Sequence, residues 1–400
     1  MNDPAHDKDY VVFQWGASSF FGWGIYGLNL MLNWAQRPDF GALCACPIDP
    51  ASLLLNPVEM KIVEPALRGS AAVRKRLLAC GSATWKWPNL ALHGLGNGLT
   101  ASPTDGVTVV GDPTIGIIFS ESTLFDDDAR SRARHYPLIV TGSTWNRQVL
   151  AAAGIDHVTT VIQGVDPTWY HPAARRDLFP GRFVVFSGGK AEHRKGQDLV
   201  VEAFRPFARS HPDALLLTAW GSPWPQLALS LNQNSALQPV RMTNNAIDFT
   251  QWTCDNGIPQ DQVLHLGPVP HVHLPRIVRE ADIALFPNRA EGGTNLVAME
   301  CMASAIPVIL SANTGHLDLI QEGNCYPLRR QKKIDAAGCD GWGESDVEEM
   351  VAALESAWAD REQARRRGQR GAEFMSALTW QGQLGQLAEV LRPYVKHLPR

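Results

Sequence analysis

Two carboxylates stand on either side of a glycine turn in the segment Glu291-Gly-Gly-Thr-Asn-Leu-Val-Ala-Met-Glu300. If Asn295 is the N-cap, the helix that follows points Glu300 inward, at a position where a leucine would normally stand. A buried carboxylate without a partner is costly, so Glu300 should bind either another group of the chain or the hydroxyls of a ligand. The N–H groups at Asn295, Leu296 and Val297 also favour an anion. Together these features suggest a sugar nucleotide.

Two lysines occupy a second segment, Phe186-Ser-Gly-Gly-Lys190-Ala-Glu-His-Arg-Lys195-Gly196, which follows a short apolar run. Cations at such a strand end can stabilise the negative charge of a sugar nucleotide's diphosphate. Each charge-assisted contact contributes about 1.5 to 3 kcal/mol. Outside such a context, Lys195 would ordinarily be a solvated surface lysine.

A glycine-rich loop follows the apolar run Tyr10 to Trp15. Gly22 and Gly24 either bring the backbone close to a phosphate or form a tight turn before a helix. Trp23, between them, either shapes a sugar pocket or packs between the domains. The position directly after the first strand favours a contact with the phosphate.

Further candidates follow apolar runs in the first half of the chain. His93 ends such a run and opens a loop that contains Asn97, and Glu121 follows the run Ile115 to Phe119. A lone histidine at a strand end is usually structural. The alternative is that His93, Asn97 and Glu121 contact a bound ligand.

The length and composition of the chain limit the classes of protein to which it can belong. The chain has 400 residues, 45% of them hydrophobic, with a formal net charge of −4. This length fits two domains, and the charge argues against a dedicated nucleic-acid binder. The polar opening MNDPAHDKDY and the lack of a long apolar run predict a cytoplasmic protein without a signal peptide. The seven cysteines form no CxxC pair and no zinc spacing.

Short apolar runs alternate with helix-like segments, which predicts an α/β protein with parallel sheets. In such sheets ligands collect at the carboxyl ends of the strands, where the candidate residues stand. We expect a domain over residues 1–165, a second over 166–378, and a final helix over 379–400 that packs back on the first domain. Residues 222–251 look like an insertion. The predicted strands are Tyr10 to Trp15, Ile115 to Phe119, Leu138 to Thr141, Val158 to Ile162, Phe183 to Phe186, Ala214 to Ala219, Ala284 to Phe286 and Pro307 to Leu310.

Four segments together resemble the group 1, family 4 retaining glycosyltransferases of the GT-B fold, which have two Rossmann-like domains facing a cleft. They are the glycine loop, the stretch from Val140 to Asp166, the Lys190 to Gly196 segment and the Glu291 to Glu300 segment. The resemblance implies that Lys190 and Lys195 hold the diphosphate, that Glu300 holds the ribose and that Glu291 holds the transferred sugar.

The same resemblance implies several secondary contacts. Backbone amides of the glutamate turn would lie near the phosphates, from Thr294, Asn295 and Leu296. Pro268 and Val269 would run beside the nucleotide base, and His93 would lie close to the reacting sugar. Metal sites at His271-Val-His273 or Asp126-Asp-Asp128 are not favoured, because lysines and helix amides replace the cation on this scaffold.

Two features depart from the family pattern. Eight residues separate Glu291 and Glu300 where the family has seven, and aligning the helix puts the extra residue in the turn. The family's arginine is absent, and Lys190 stands near its place. Lysine keeps the charge but lacks the bidentate fork.

We therefore expect an enzyme that moves a sugar from a nucleotide donor, a UDP-sugar or GDP-sugar, to a hydroxyl acceptor without metal or cofactor. The acceptor would be a glycan, a lipid-linked sugar or a protein. A GT-B epimerase or phosphorylase and a non-catalytic nucleotide-binding partner protein are the alternatives. The basic stretch that begins at Arg68 and includes Arg74 to Arg76 would allow weak peripheral membrane contact, although a solvated helix face is the usual interpretation.

Overall fold

A computed structural model describes residues 9–396, which form two compact units. One unit comprises Met1–Gly164 and Thr379–Arg400, and the other comprises Val165–Leu378. These bounds lie within one residue of the expected ones. Most of the polar opening that predicted the lack of a signal peptide lies outside the described residues. Within the described part, no helix is long and apolar enough to cross a membrane.

The first unit is built on six parallel strands in the order β2-β1-β4-β6-β7-β8. These strands are β1 (Asp9–Gln14), β2 (Phe40–Cys44), β4 (Ala91–Leu95), β6 (Thr114–Ile118), β7 (Ile139–Thr141) and β8 (Val158–Thr160), and a separate pair is β3 (Thr84–Lys86) with β5 (Thr108–Val110). The helices up to Gly164 are α1 (Gly22–Ala35), α2 (Pro57–Leu78), α3 (Asp127–Ala133) and α4 (Thr144–Ala152).

The second unit repeats this architecture with six parallel strands in the order β11-β10-β9-β12-β13-β14. They are β9 (Phe183–Gly189), β10 (Ala214–Trp220), β11 (Val263–His265), β12 (Ile283–Phe286), β13 (Val308–Ser311) and β14 (Tyr326–Leu328), followed by the antiparallel hairpin of β15 (Gln331–Lys333) and β16 (Gly343–Ser345). Its helices are α5 (Gln197–Ser210), α6 (Phe249–Asp255), α7 (Leu274–Val278), α8 (Leu296–Ala303), α9 (Val347–Ala359) and α10 (Arg361–Met375).

Every strand that the amino-acid sequence predicted is confirmed, with ends that shift by at most three residues. β9 is the strand that extends furthest beyond its prediction. The apolar run Phe183 to Phe186 continues as strand through Gly189, which places Lys190 directly after the strand. The alternation of strands and helices therefore predicted the fold class correctly.

The expected insertion at residues 222–251 contributes to the core of the second unit. It forms a 3₁₀ helix, Pro225–Gln233, and then a turn that leads into α6. Its apolar side chains Leu231, Leu237 and Val240 are buried in the main hydrophobic cluster of the unit. Ala228 and Phe249 are buried in the same cluster, whereas most of the polar side chains of the segment are exposed.

The final helix, α11 (Trp380–Leu391), belongs to the first unit. The indole N–H of Trp34 in α1 donates to the carbonyl of Leu384, 3.0 Å away. Trp380 stacks on Tyr26 with ring centroids 5.7 Å apart. These contacts lie on α1, the helix that begins at the glycine loop.

Candidate active site

The two glutamates stand on the turn that joins β12 to α8. Asn295 is the N-cap of α8, as predicted, and its side chain accepts a hydrogen bond from the amide of Ala298 at 3.4 Å. Its backbone has a φ of 65°, in the left-handed region that few residue types adopt readily. This unusual conformation lies in the turn where the extra residue was expected.

Gly315 lets this turn pack closely against the loop after β13. A Cβ atom at residue 315 would stand 1.6 Å from the carbonyl oxygen of Gly293, which no side chain allows. The amide of Gly315 also donates to the carbonyl of Glu291 at 3.0 Å. The loop after β13 therefore fixes the turn from one side.

Glu300 is buried, with 2% of its surface exposed, and it has a partner within the chain. His271 donates from Nε2 to its Oε1 at 2.6 Å. The His271 ring lies against Trp169 and Tyr170, with centroids 5.6 and 5.2 Å away, and Tyr170 donates from its hydroxyl to the His271 carbonyl. The inward orientation of Glu300 and its need for a partner are confirmed. Its surroundings differ from the expectation, because α8 buries nearly its whole circumference rather than one face.

Glu291 is also buried, and it meets three donors of the second unit. Lys195 and Asn288 both donate to its Oε1, and Arg194 donates to its Oε2 at 3.1 Å. Burial alone would raise the pKa of Glu291, but the nearby charges of Lys195 and Arg194 outweigh it and lower the pKa to about 2. The carboxyl group is therefore ionised at neutral pH. The structure brings Glu291 and Lys195 together, although they are 96 positions apart in the chain.

The ion pairs continue towards β9. Lys190 Nζ lies 2.8 Å from Glu192, and Glu192 accepts from Arg194 at 2.6 Å. The order Lys190, Glu192, Arg194, Glu291, Lys195 alternates positive and negative groups, and we call these five residues the ion-pair chain. It holds three cations and two carboxylates, so its formal charge is +1.

Arg289 connects the segments that carry the ion-pair chain. Its guanidinium is 1% exposed and bonds both oxygens of Asp198, at 2.8 and 2.7 Å, and Glu344 at 2.9 Å. It also donates to the carbonyl of His193 at 2.7 Å, while its backbone amide donates to the carbonyl of Arg194. Arg289 thus fixes the turn at residues 193–195 against the segment that leads to Glu291.

His316 supports the glutamate turn from the loop after β13. It is fully buried, its Nδ1–H donates to the carbonyl of Ser311, and its Nε2 accepts from Asn295 at 3.2 Å. Burial lowers the pKa of His316 to about 4, although Glu291 acts in the opposite direction. The ring is therefore neutral at pH 7, which lets Nε2 act as the acceptor for Asn295.

The other predicted donor residues of this unit lie near the same strand ends. Thr294 is buried and its hydroxyl donates to Met299 Sδ at 3.0 Å, so its side chain is used locally. Leu296 is the first residue of α8, where amide groups have no partner within the helix. Pro268 lies against Gly221, since a Cβ at Gly221 would stand 2.6 Å from the proline ring, and Val269 follows it in the loop after β11.

In the first unit, the glycine loop has a packing role. Gly22 opens α1 and a Cβ there would meet nothing within 4 Å, but a Cβ at Gly24 would stand 2.8 Å from Ser18. Trp23 packs in an aromatic group, with centroid distances of 5.3 Å to Trp15 and 4.7 Å to Phe119. Gly24 is required by helix packing, whereas Gly22 has no such requirement.

The expected position of His93 at a strand end is wrong. β4 continues to Leu95, and His93 lies inside it with 5% of its surface exposed. Its Nε2 is 2.6 Å from the carbonyl of Val109 and its Nδ1 is 3.0 Å from the hydroxyl of Tyr136. Both ring nitrogens are therefore used, Nε2 as donor and Nδ1 as acceptor. Burial lowers the pKa of His93, which favours this neutral form.

Asn97 and Glu121 come together in the first unit. The side-chain oxygen of Asn97 accepts from the backbone amide of Glu121 at 3.1 Å and from the hydroxyl of Ser120 at 3.2 Å. The basic stretch lies on α2, where Arg68 pairs with Glu64 at 3.1 Å and Arg74 pairs with Asp105 at 2.6 Å.

The sites that were not favoured for metals have local partners. Asp126 caps α3 by accepting from Ala129 at 2.7 Å, and His271 bonds Glu300. Among residues 9–396, no three His, Cys, Asp or Glu side chains are grouped so that they could hold a metal ion. All seven cysteines lie in this part of the chain and none forms a disulfide.

Sequence reasoning missed Arg194, Asn288, Arg289 and His316. The run Glu192-His-Arg-Lys195 did carry a signal, because it places a carboxylate and two cations within four residues. Nothing local marks the other three, since their partners are distant in the chain. Their roles depend on how the loops after β9, β12 and β13 meet.

Comparison with known proteins bears on the family likeness and the fold of the chain. Residues 271–387 match the family described as family 4 glycosyltransferases in conflict systems. A lipopolysaccharide core biosynthesis mannosyltransferase of Rhizobium leguminosarum bv. viciae is 29% identical over 174 residues, which are 41% of this chain and 43% of that protein. Residues 271–387 thus resemble family 4 glycosyltransferases, and the chain has the GT-B fold.

Solved structures agree with the fold across nearly the whole chain. Sucrose-phosphate synthase from Thermosynechococcus elongatus has a TM-score of 0.65 at 17% identity, covering 96% of this chain and 98% of that one. The HepE protein of Anabaena, solved with UDP and glucose, has a TM-score of 0.63 at 13% identity, covering 96% and 100%. The curated relatives are matched over less than half of their own length.

Proposed function

We propose that this family 4-like chain is a glycosyltransferase that moves a sugar from a nucleoside diphosphate donor to a hydroxyl acceptor, with retention of the anomeric configuration. The observation that carries the proposal is the pair of buried carboxyl groups on one turn, of which Glu291 is held ionised by Lys195 and Arg194. Burying such charges is costly, and a structural role alone would be served as well by apolar residues. A charged ligand gives a reason to keep them.

The parts of the donor would be divided among the residues of the second unit. Lys190 and Lys195 would hold the diphosphate, assisted by backbone amides of the glutamate turn at Thr294, Asn295 and Leu296. Glu300 would accept hydrogen bonds from the ribose, and Glu291 from the transferred sugar. Pro268 and Val269 would lie beside the base.

The chemistry needs little more than charge stabilisation and positioning. The bond from the anomeric carbon to the diphosphate breaks, and the acceptor oxygen bonds to the same face of the sugar. The acceptor's proton passes to an oxygen of the departing diphosphate. On this proposal the protein needs no metal, no cofactor and no nucleophile of its own.

A UDP-sugar or GDP-sugar is our proposed donor. HepE, which shares the fold, was solved with UDP-glucose as well as with UDP. The acceptor would be a glycan, a lipid-linked sugar or a protein. Three further statements stay predictions. They are the cytoplasmic location, the roles of His93, Asn97 and Glu121 with the acceptor, and the donor contacts of Gly22, Trp23 and Gly24.

A thermal-shift screen of UDP-sugars, GDP-sugars and the bare nucleotides tests this proposal. A donor at a hundred times its dissociation constant should stabilise the protein by about 2.7 kcal/mol. We expect Glu300→Ala to weaken the response to every ligand that contains the ribose. The control is Lys333→Ala, because Lys333 is an exposed lysine of the same unit.

Two results would count against the proposal. If no nucleoside diphosphate or sugar nucleotide shifts the melting temperature, both the transferase and the nucleotide-binding partner protein are ruled out. A shift without sugar transfer or donor hydrolysis would favour the non-catalytic alternative. Product analysis separates a transferase from an epimerase or a phosphorylase.

A further inference from the structure

Arg194 occupies the centre of the ion-pair chain. Its Nη1 bonds the carbonyl of Ala290 at 2.9 Å and Glu291 at 3.1 Å, and its Nη2 bonds Glu192 at 2.6 Å. Its side chain is 12% exposed, so the guanidinium is neither fully buried nor free in solvent. An arginine fork suits the paired oxygens of a diphosphate better than a lysine does.

Arg194 also offers a replacement for the arginine that the family pattern has and this chain lacks. The arginine expected near residue 190 is replaced by Lys190, which reaches Glu192 but has no described contact with Glu291. Arg194 and Lys195 both contact Glu291, the carboxylate proposed to bind the transferred sugar. An arginine and a lysine are thus brought together at this position from adjacent residues.

We propose that Arg194 is a third diphosphate-binding cation, and that Glu291 gives up Arg194 and Lys195 when the donor's diphosphate binds. This inference rests on the proposed function. The diphosphate replaces the carboxylate as the partner of the two cations. Glu291 is then left to accept hydrogen bonds from the hydroxyls of the transferred sugar.

This exchange links recognition of the diphosphate to recognition of the sugar. A bare nucleoside diphosphate competes with Glu291 for the cations and leaves a buried carboxylate without its charged partners, which is costly. A sugar nucleotide avoids part of this cost, because its hydroxyls donate to the carboxylate. The protein would therefore favour intact donor over the product that remains after transfer.

Removing the charge of Glu291 separates the two effects. Glu291→Gln nearly keeps the shape but no longer competes for Arg194 and Lys195. We expect it to bind bare UDP or GDP about tenfold more tightly than the wild type does, and to lose most of the preference for the sugar nucleotide. Calorimetric titration of each variant with UDP, GDP, UDP-glucose and GDP-mannose measures both changes.

Arg194 variants test the new residue directly. We expect Arg194→Gln to weaken binding of the bare nucleoside diphosphate about tenfold to a hundredfold, as loss of a charge-assisted contact implies. Arg194→Lys should recover part of this loss. The double variant Glu291→Gln/Arg194→Gln should lose the tighter binding that Glu291→Gln alone gains. Arg330→Gln is the control, since Arg330 is an exposed arginine of the same unit paired with Asp346.

The possible outcomes test different parts of the proposal. Weaker or unchanged binding of the bare nucleoside diphosphate to Glu291→Gln would overturn the exchange. Unchanged binding to Arg194→Gln, with the same melting temperature as the wild type, would overturn the role of Arg194. If the wild type binds no nucleoside diphosphate and no sugar nucleotide, the proposed function itself fails.

Discussion

The candidate residues of the two units are held in different ways. In the second unit Glu291, Glu300 and Lys195 are buried or nearly buried charged groups that bind partners from distant loops. In the first unit His93 is satisfied by neutral hydrogen bonds, and Gly24 is needed for close packing. Neutral hydrogen bonds and packing stabilise a fold without requiring a ligand. Buried charges are costly, so their concentration on one turn is the reason why we propose this turn as the binding site.

The largest expected effect concerns the buried arginine that holds the charged loops together. Arg289→Met leaves Asp198 buried without its main partner, and we expect the second unit to lose about 3 to 5 kcal/mol of unfolding free energy. Arg330→Met is the matched control, because Arg330 pairs with Asp346 at the surface and should cost less than about 1 kcal/mol. Urea unfolding measures both, and equal losses would contradict the contrast between buried and exposed charges.

The next effect is a loss of folding stability at low pH. His316 has its pKa lowered from 6.5 to about 4, so the folded protein resists its protonation while the unfolded chain does not. The stability that His316 contributes is complete above pH 6.5 and is lost as the pH falls towards 4, by roughly 3 kcal/mol in all. Glu291, with a pKa of about 2, adds a further loss below about pH 4.5.

Thermal unfolding at several pH values checks the assignment to His316. His316→Asn should reduce the loss between pH 6.5 and 4, to which the lowered pKa of His93 also contributes, and should keep the loss at lower pH. The charged groups that act on the pKa of His316 are Glu291, which raises it, and Lys195 and Arg194, which lower it. A profile of the variant that matches the wild type would assign the loss to another group.

A smaller effect separates the two glycines of the first unit. Gly24→Ala places a Cβ about 2.8 Å from Ser18, and we expect it to destabilise the unit by about 1 to 3 kcal/mol. Gly22→Ala meets no atom within 4 Å and should be neutral or stabilise α1 by up to about 1 kcal/mol. If Gly22→Ala nevertheless weakens binding of a nucleoside diphosphate, the predicted approach of this loop to the phosphate gains support.

The smallest expected effect on activity comes from His93. His93→Gln keeps one donor and one acceptor, and we expect it to cost about 1 kcal/mol in stability while sugar transfer changes by no more than a few-fold. Kinetics and thermal unfolding of the same preparation measure both. A large fall in kcat with little loss of stability would instead support the prediction that His93 lies close to the reacting sugar.

Much of the fold followed from the sequence because its signals are local. The apolar runs that became β1, β9 and β12 are short, continuous and bounded by turns, as buried parallel strands are. The N-cap at Asn295 and the burial of Glu300 also followed from spacing within ten residues.

The partners of the charged groups did not follow, because each pair joins distant parts of the chain. Glu291 meets Lys195 across 96 positions, and Arg289 meets Asp198 across 91. His93 was misplaced for a different reason. The apolar run ends at Leu92, but β4 continues to Leu95. The backbone of the histidine and the glycine that follow Leu92 pairs with the neighbouring strand β6.

Donor turnover is the measurement that tests the central claim most directly. The wild type, Lys195→Ala and the control Lys333→Ala would each be incubated with UDP-sugars and GDP-sugars, and released nucleoside diphosphate would be followed by chromatography. We predict release by the wild type and the control with one donor, and release about tenfold to a hundredfold slower in Lys195→Ala. Equal release by all three proteins, or none from any donor, would contradict the account.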